Sequence, residues 1–165
     1  MSKYKLSYKS FGEKAILIEW PSEIDEEILF DIVAFKNKIE QEIHLEDLIV
    51  GYNSLLLVSV CKIDNIQDKI FFLKEWYKQL ILKEKLETFH WEIPVCYDVS
   101  FGVDLKEVSE EKNLSINEVI DLHCNTIYTV FFIGFLPGFL YLGGLNSKLH
   151  FPRKNTPRLE VPKGS

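Results

Sequence analysis

A chain of 165 residues, 47% hydrophobic and 27% charged, has the composition of a globular protein with room for one generous domain or two small ones, which excludes disorder throughout. No run approaches the roughly 18 consecutive apolar residues of a membrane helix, and Met1 to Lys14 lacks the apolar core of a secretory signal, so the reading is a cytoplasmic protein without a membrane partner. A formal charge of −6, with Lys and Arg scattered among acids until the last dozen residues, argues against a nucleic-acid partner, because neutralising phosphates takes a concentrated basic face.

Tyr4 to Tyr8 alternates apolar and polar residues, and Ala15 to Trp20 is rich in branched apolar ones, so both read as strands, with Gly12 in the turn between them. Ile28, Ile32, Phe35 and Ile39 recur at spacings of four, three and four and predict a helix, with Asp25 as its N-cap and Ile24 stapled against Leu29. Leu48 to Tyr52 and Ser54 to Val60 predict two more strands around a turn at Asn53. A second helix carries Ile66, Ile70, Leu73, Tyr77 and Leu80 on one stripe, with Asp64 and Gln67 spaced as a capping box. Its aromatic residues Phe71, Phe72, Trp76 and Tyr77 read as core plus one partner-facing edge rather than a ligand box. Strands followed by helices in this order predict a small α+β domain over residues 1–90, with a ferredoxin-like arrangement as the first expectation.

The pattern restarts at Trp91. Ile93 to Tyr97 reads as a short edge strand, since Pro94 cannot donate to a ladder. Two short helices follow, started by Asp104 with Glu107 and by Ser115 with Glu118, and joined at Asn113. They resemble a helix-turn-helix on paper, but Glu107, Glu110, Glu111, Glu118 and Asp121 would face the phosphates, so DNA recognition is rejected. Cys61, Cys96 and Cys124 show no CxxC pairing and are expected as reduced thiols, mostly buried, and no histidine pairing points to a metal.

Ile127 to Ile133 is a continuous apolar strand leading into FIGFLPGFLYLGGL, Phe132 to Leu145. Pro137 and Gly138 fit a type II turn, and Phe135, Phe139 and Tyr141 crowd the same loop, which reads either as a packed barrel-wall loop or as a binding loop. The last segment, FPRKNTPRLEVPKGS, is stiffened by Pro152, Pro157 and Pro162. Arg153, Lys154, Arg158 and Lys163 stand there against the single acid Glu160, so the segment is either a site for a phosphate or carboxylate or a solvated loop.

FxxGFxPGFxYLGGL, followed by two PR pairs and VPxGS, resembles the signature of the family that includes the B subunit of 5-oxoprolinase, the first subunit of allophanate hydrolase and the Kip inhibitor of a sporulation histidine kinase. GxxAxLIE at Gly12 to Glu19, GYNSLLL at Gly51 to Leu57 and IPVCYD at Ile93 to Asp98 extend the resemblance over nearly the whole chain. Leu140 departs from it, at a position where many relatives carry proline. The resemblance implies a cyclophilin-like β-barrel over residues 91–165, incomplete at Ser165 because relatives continue into further strands.

It also implies a function: a non-autonomous B subunit of ATP-dependent 5-oxoprolinase, converting 5-oxo-L-proline to L-glutamate with A and C subunits, with ATP and magnesium as cofactors. The alternatives it carries are an inhibitor of histidine-kinase autophosphorylation and an allophanate hydrolase or urea carboxylase-type module. Arg153, Arg158 and Lys163, with His123, are the expected substrate or nucleotide contacts, and Phe135, Pro137, Gly138, Phe139 and Tyr141 the binding loop. A lone histidine such as His123 reads more readily as a structural hydrogen-bonding residue than as a catalyst. No catalytic residue is assigned, since GxSxG, HExxH and a Cys–His pair at motif spacing are all missing from the sequence.

Overall fold

The computed structural model describes residues 3–80, 88–156 and 158–160. They fall into two compact units, Met1–Thr88 with Val130–Tyr141, and Phe89–Thr129 with Leu142–Ser165. No helix among the described residues is long and apolar enough to cross a membrane.

The first unit runs β1 (Ser7–Phe11), β2 (Ala15–Glu19), α1 (Glu26–Glu42), β3 (Asp47–Val50), β4 (Ser54–Val58) and α2 (Ile66–Lys78), with an antiparallel sheet in the order β1-β2-β4-β3. In the central strands Ile16 lies opposite Leu57 and Ile18 opposite Leu55, and all four point into the core because alternate residues share a face. The predicted stripe of α1 closes that core: Ile28, Ile32, Phe35 and Ile39 are fully buried. Burying each is worth about 1.5–3 kcal/mol, which outweighs the few tenths per residue that β-branched side chains cost a helix. Asp25 caps α1, its Oδ1 accepting from the Glu27 N–H at 2.6 Å. Ile70, Leu73 and Tyr77 of α2 join the same cluster, while Phe71 and Phe72 stay exposed.

One acid is sealed into this core. Asp31, 2% exposed, accepts hydrogen bonds on Oδ2 from Trp20 Nε1 and Tyr77 Oη, each at 2.7 Å. It thereby ties the end of β2, α1 and α2 together. Burial, and next the hydrogen bond to Asp31, keep the Tyr77 phenol protonated far above its ordinary range. The rings of Trp20, Phe35 and Tyr77 pack edge-on or tilted around it, with centroids 5.1–6.2 Å apart.

Several local expectations change. The first strand begins at Ser7 rather than Tyr4, and Tyr4 and Leu6 pack beside the core instead. Ile24 is 73% exposed, so it does not act as a staple. The cap of α2 is Asn65, which accepts from the N–H groups of Gln67 and Asp68, in place of the predicted Asp64. The element order is β-β-α-β-β-α, whereas a ferredoxin-like fold runs β-α-β-β-α-β, so that arrangement is not the one seen. The difference arises at the start, where β1 and β2 form a hairpin before any helix.

The second unit holds α3 (Leu105–Lys112), α4 (Ile116–Cys124) and a 3₁₀ turn at Ser147–Leu149. Asn113, with φ of 52°, ends α3, and the Leu114 N–H returns to the Ser109 carbonyl at 3.0 Å. The Ser115–Glu118 capping box starts α4 as predicted. Ile93 to Tyr97 is not a strand: Pro94 offers no N–H, and no described strand runs beside it. The expected barrel is likewise not seen among the described residues. All three cysteines are free and exposed rather than buried.

β5 (Thr129–Ile133) and β6 (Leu140–Gly143) pair as a two-stranded hairpin. At its tip the Phe139 N–H donates to the Leu136 carbonyl at 3.0 Å, and Gly138 has φ of +79°, as a type II turn over Pro137–Gly138 requires. Phe135 also takes positive φ, 65°, with the Leu136 N–H donating to the Gly134 carbonyl at 2.8 Å, a strained three-residue turn for a side chain of this size. Phe132 stacks on Tyr141 with centroids 4.0 Å apart, and Phe139 meets Tyr141 edge-on.

Candidate functional site

The site begins at the first residue before α3. Asp104 stands in the N-cap position but makes no side-chain cap hydrogen bond. Both its oxygens turn instead to the basic segment: Arg158 Nη1 donates to Oδ2 at 3.0 Å and Nη2 to Oδ1 at 2.8 Å, the planar two-bond fork by which guanidinium grips a carboxylate. Lys154 Nζ bridges Asp104 Oδ1 and Glu107 Oε2, each at 2.6 Å. Hydrogen bonds from Arg158, and then from Lys154, hold the Asp104 carboxyl down at about 2.

Beside these pairs lies an open cleft of about 540 Å³ whose lining includes Glu107, Glu111, Phe151, Arg153, Lys154 and Arg158. Lys112 sits over the Phe151 ring at 5.5 Å and anchors one wall. Three cations face three acids across the cleft and its edge, Arg153, Lys154 and Arg158 against Asp104, Glu107 and Glu111. Among the described residues Arg153 is the cation here without an ion-pair partner.

Two of the expected contacts, Arg153 and Arg158, are therefore brought to one cleft. Lys163 lies outside the described residues. That Arg158 and Lys154 are already engaged was not legible in the sequence: Asp104 and Glu107 have the spacing of a capping pair, and a partner some fifty residues away leaves no local signal.

His123 does not line this cleft. It sits in the last turn of α4 with Nδ1 hydrogen-bonded to the Tyr97 hydroxyl, between the rings of Tyr97 and Tyr128. Burial, and next a contact from the Cys124 thiol 3.5 Å away, raise the Tyr97 phenol well above its usual range. The protonated phenol can donate to Nδ1 or accept from it, according to the imidazole tautomer. The Tyr128 hydroxyl donates to the His123 carbonyl at 3.1 Å, fixing the end of the helix. His123 is thus held as a tether for Tyr97 and Tyr128. Phe135, Pro137, Gly138, Phe139 and Tyr141 form the β5–β6 tip, with Phe135 84% exposed. No group of three or more potential metal ligands occurs among the described residues.

The family model of the carboxyltransferase domain, subdomain C and D, matches residues 6–165. The B subunit of 5-oxoprolinase from Haemophilus influenzae is 32% identical over 154 residues, which are 93% of this chain and 71% of that protein. The chain belongs to the carboxyltransferase-domain family that includes the B subunit of 5-oxoprolinase. The corresponding B subunit of Bacillus subtilis is 51% identical over 74 residues, a stretch that is 45% of this chain and spans only 31% of the relative. The crystal structure of TTHA0988 superposes with a TM-score of 0.74 at 29% identity over 90% of this chain and 29% of its own. The motif residues that suggested the family from sequence therefore sit in a chain whose backbone also follows a solved relative.

Proposed function

We propose that this chain works in the cytoplasm as the B subunit of an ATP-dependent 5-oxoprolinase, acting with A and C subunits to open the 5-oxo-L-proline lactam to L-glutamate. The observation that carries this reading is the identity to the B subunit of 5-oxoprolinase across 93% of the chain. The same reading takes β5 and β6 as two strands of a cyclophilin-like β-barrel.

The cleft suits one half of the reaction better than the other. With Asp104 at its edge counted, its cations are balanced by its acids, so it has little net charge to offer a polyphosphate, whereas Arg153, without an ion-pair partner among the described residues, and an exchangeable Arg158 match a single carboxylate. The reading therefore leaves nucleotide and magnesium to the partner subunits. The role of this chain is then to hold and orient the lactam through its carboxylate while the chemistry is completed in the complex.

Amide chemical-shift mapping on the full chain tests this. Titrating 5-oxoproline is expected to move the signals of residues 151–156, Arg158 and the start of α3, with ATP moving them far less. Changes confined to the core of the first unit, or a response to ATP in place of 5-oxoproline, would contradict it.

A further inference from the structure

We propose that Asp104, backed by Glu107, is a built-in competitor for the cleft, holding the Arg158 fork and the Lys154 ammonium until the oxyanion of a ligand displaces it. The inference rests on the reading of the cleft as a carboxylate site and adds a device that regulates access to it. Asp104 is placed where an N-cap residue normally satisfies the first N–H groups of a helix, yet its side chain serves none of them. Both its oxygens are spent on Arg158 and Lys154, in the geometry a ligand carboxylate would adopt on the same guanidinium.

The contact is also cheap to exchange. The side chains of Asp104, Lys154 and Arg158 remain 39%, 39% and 42% exposed, so water competes for both partners and a ligand carboxylate can reach the fork and take the place of Asp104. Residues 151–156 have no helix or strand to hold them, so release of Asp104 does not require a regular element to unfold. Arg153, on the same lining and without an ion-pair partner among the described residues, gives an arriving anion a first contact before the exchange. With Asp104 held at about 2 by Arg158 and Lys154, the competitor stays ionised at neutral pH, so it is the ligand and not a proton that opens the site. The cost to the ligand is the fraction of molecules in which the fork is occupied, which lowers apparent affinity in proportion.

Calorimetric titration of the full chain with 5-oxoproline and, separately, with inorganic phosphate tests the proposal. Asp104→Asn is nearly isosteric and removes no cap, and it is expected to tighten binding roughly three- to ten-fold, with Glu107→Gln giving a smaller gain. Arg158→Ala is expected to weaken binding in both the wild-type and the Asp104→Asn background. Tightening for one probe alone upholds the competitor and identifies the oxyanion to which it yields. Wild-type binding that Arg158→Ala destroys but Asp104→Asn and Glu107→Gln leave unchanged overturns the competitor while sparing the cleft. Failure of every variant and of the wild type to bind either probe overturns both.

Discussion

Asp31→Ala is expected to lower the stability of the first unit by about 3 kcal/mol or more. The substitution removes the acceptor of two buried donors, Trp20 Nε1 and Tyr77 Oη, and each donor left without a partner costs about 1–3 kcal/mol. A cavity in a core cluster that includes Phe35 and Ile32 adds to the loss. Asp31→Asn, which keeps the volume and one acceptor oxygen, should lose less, and Trp20→Phe should lose about one donor's share. Urea denaturation followed by tryptophan fluorescence reads all three. An Asp31→Ala midpoint indistinguishable from the wild type would mean that the acid is not the pin between β2, α1 and α2.

The second large effect is expected at Arg158. In an assembled A–B–C complex, Arg158→Ala should lower kcat/KM for 5-oxoproline roughly ten-fold or more, since a charge-assisted fork on a carboxylate is among the stronger hydrogen-bonded pairs. Arg158→Lys keeps the charge but loses the planar fork seen on Asp104, so it should recover only part of the loss. Most of the change should appear in KM, because the side chain is proposed to hold substrate in ground and transition state alike. Wild-type kinetics for both variants, with the complex still assembling, would return the segment to a solvated loop.

What could be read from the sequence was what is local. The α1 stripe, its Asp25 cap, the Ser115–Glu118 box and the Pro137–Gly138 turn each depend on residues within a few positions of one another, and each is present. Asp31 escaped notice because an acid one turn from Ile28 and next to Ile32 looks like an ordinary exposed helix position. Only the approach of Trp20 and Tyr77 from other elements makes it a core residue. The engagement of Arg158 escaped for the same reason, since Asp104 had a plausible local duty as a cap. Ile93 to Tyr97 shows the reverse error. Its apolar character is real, but a strand exists only with a neighbour to pair with, and none is described. The clustering of Arg153, Lys154 and Arg158 was visible in the sequence; that acids from α3 and its cap already hold two of the three was not.

The proposed role, a working but dependent part of a lactam-opening complex, is measured most directly by glutamate release. The full chain, alone and combined with the proposed A and C partners, is incubated with ATP and 5-oxoproline. No glutamate is expected from the chain alone, none from A and C without it, and steady release from the three together. Glutamate formed by the isolated chain, or by A and C at an undiminished rate in its absence, would contradict it.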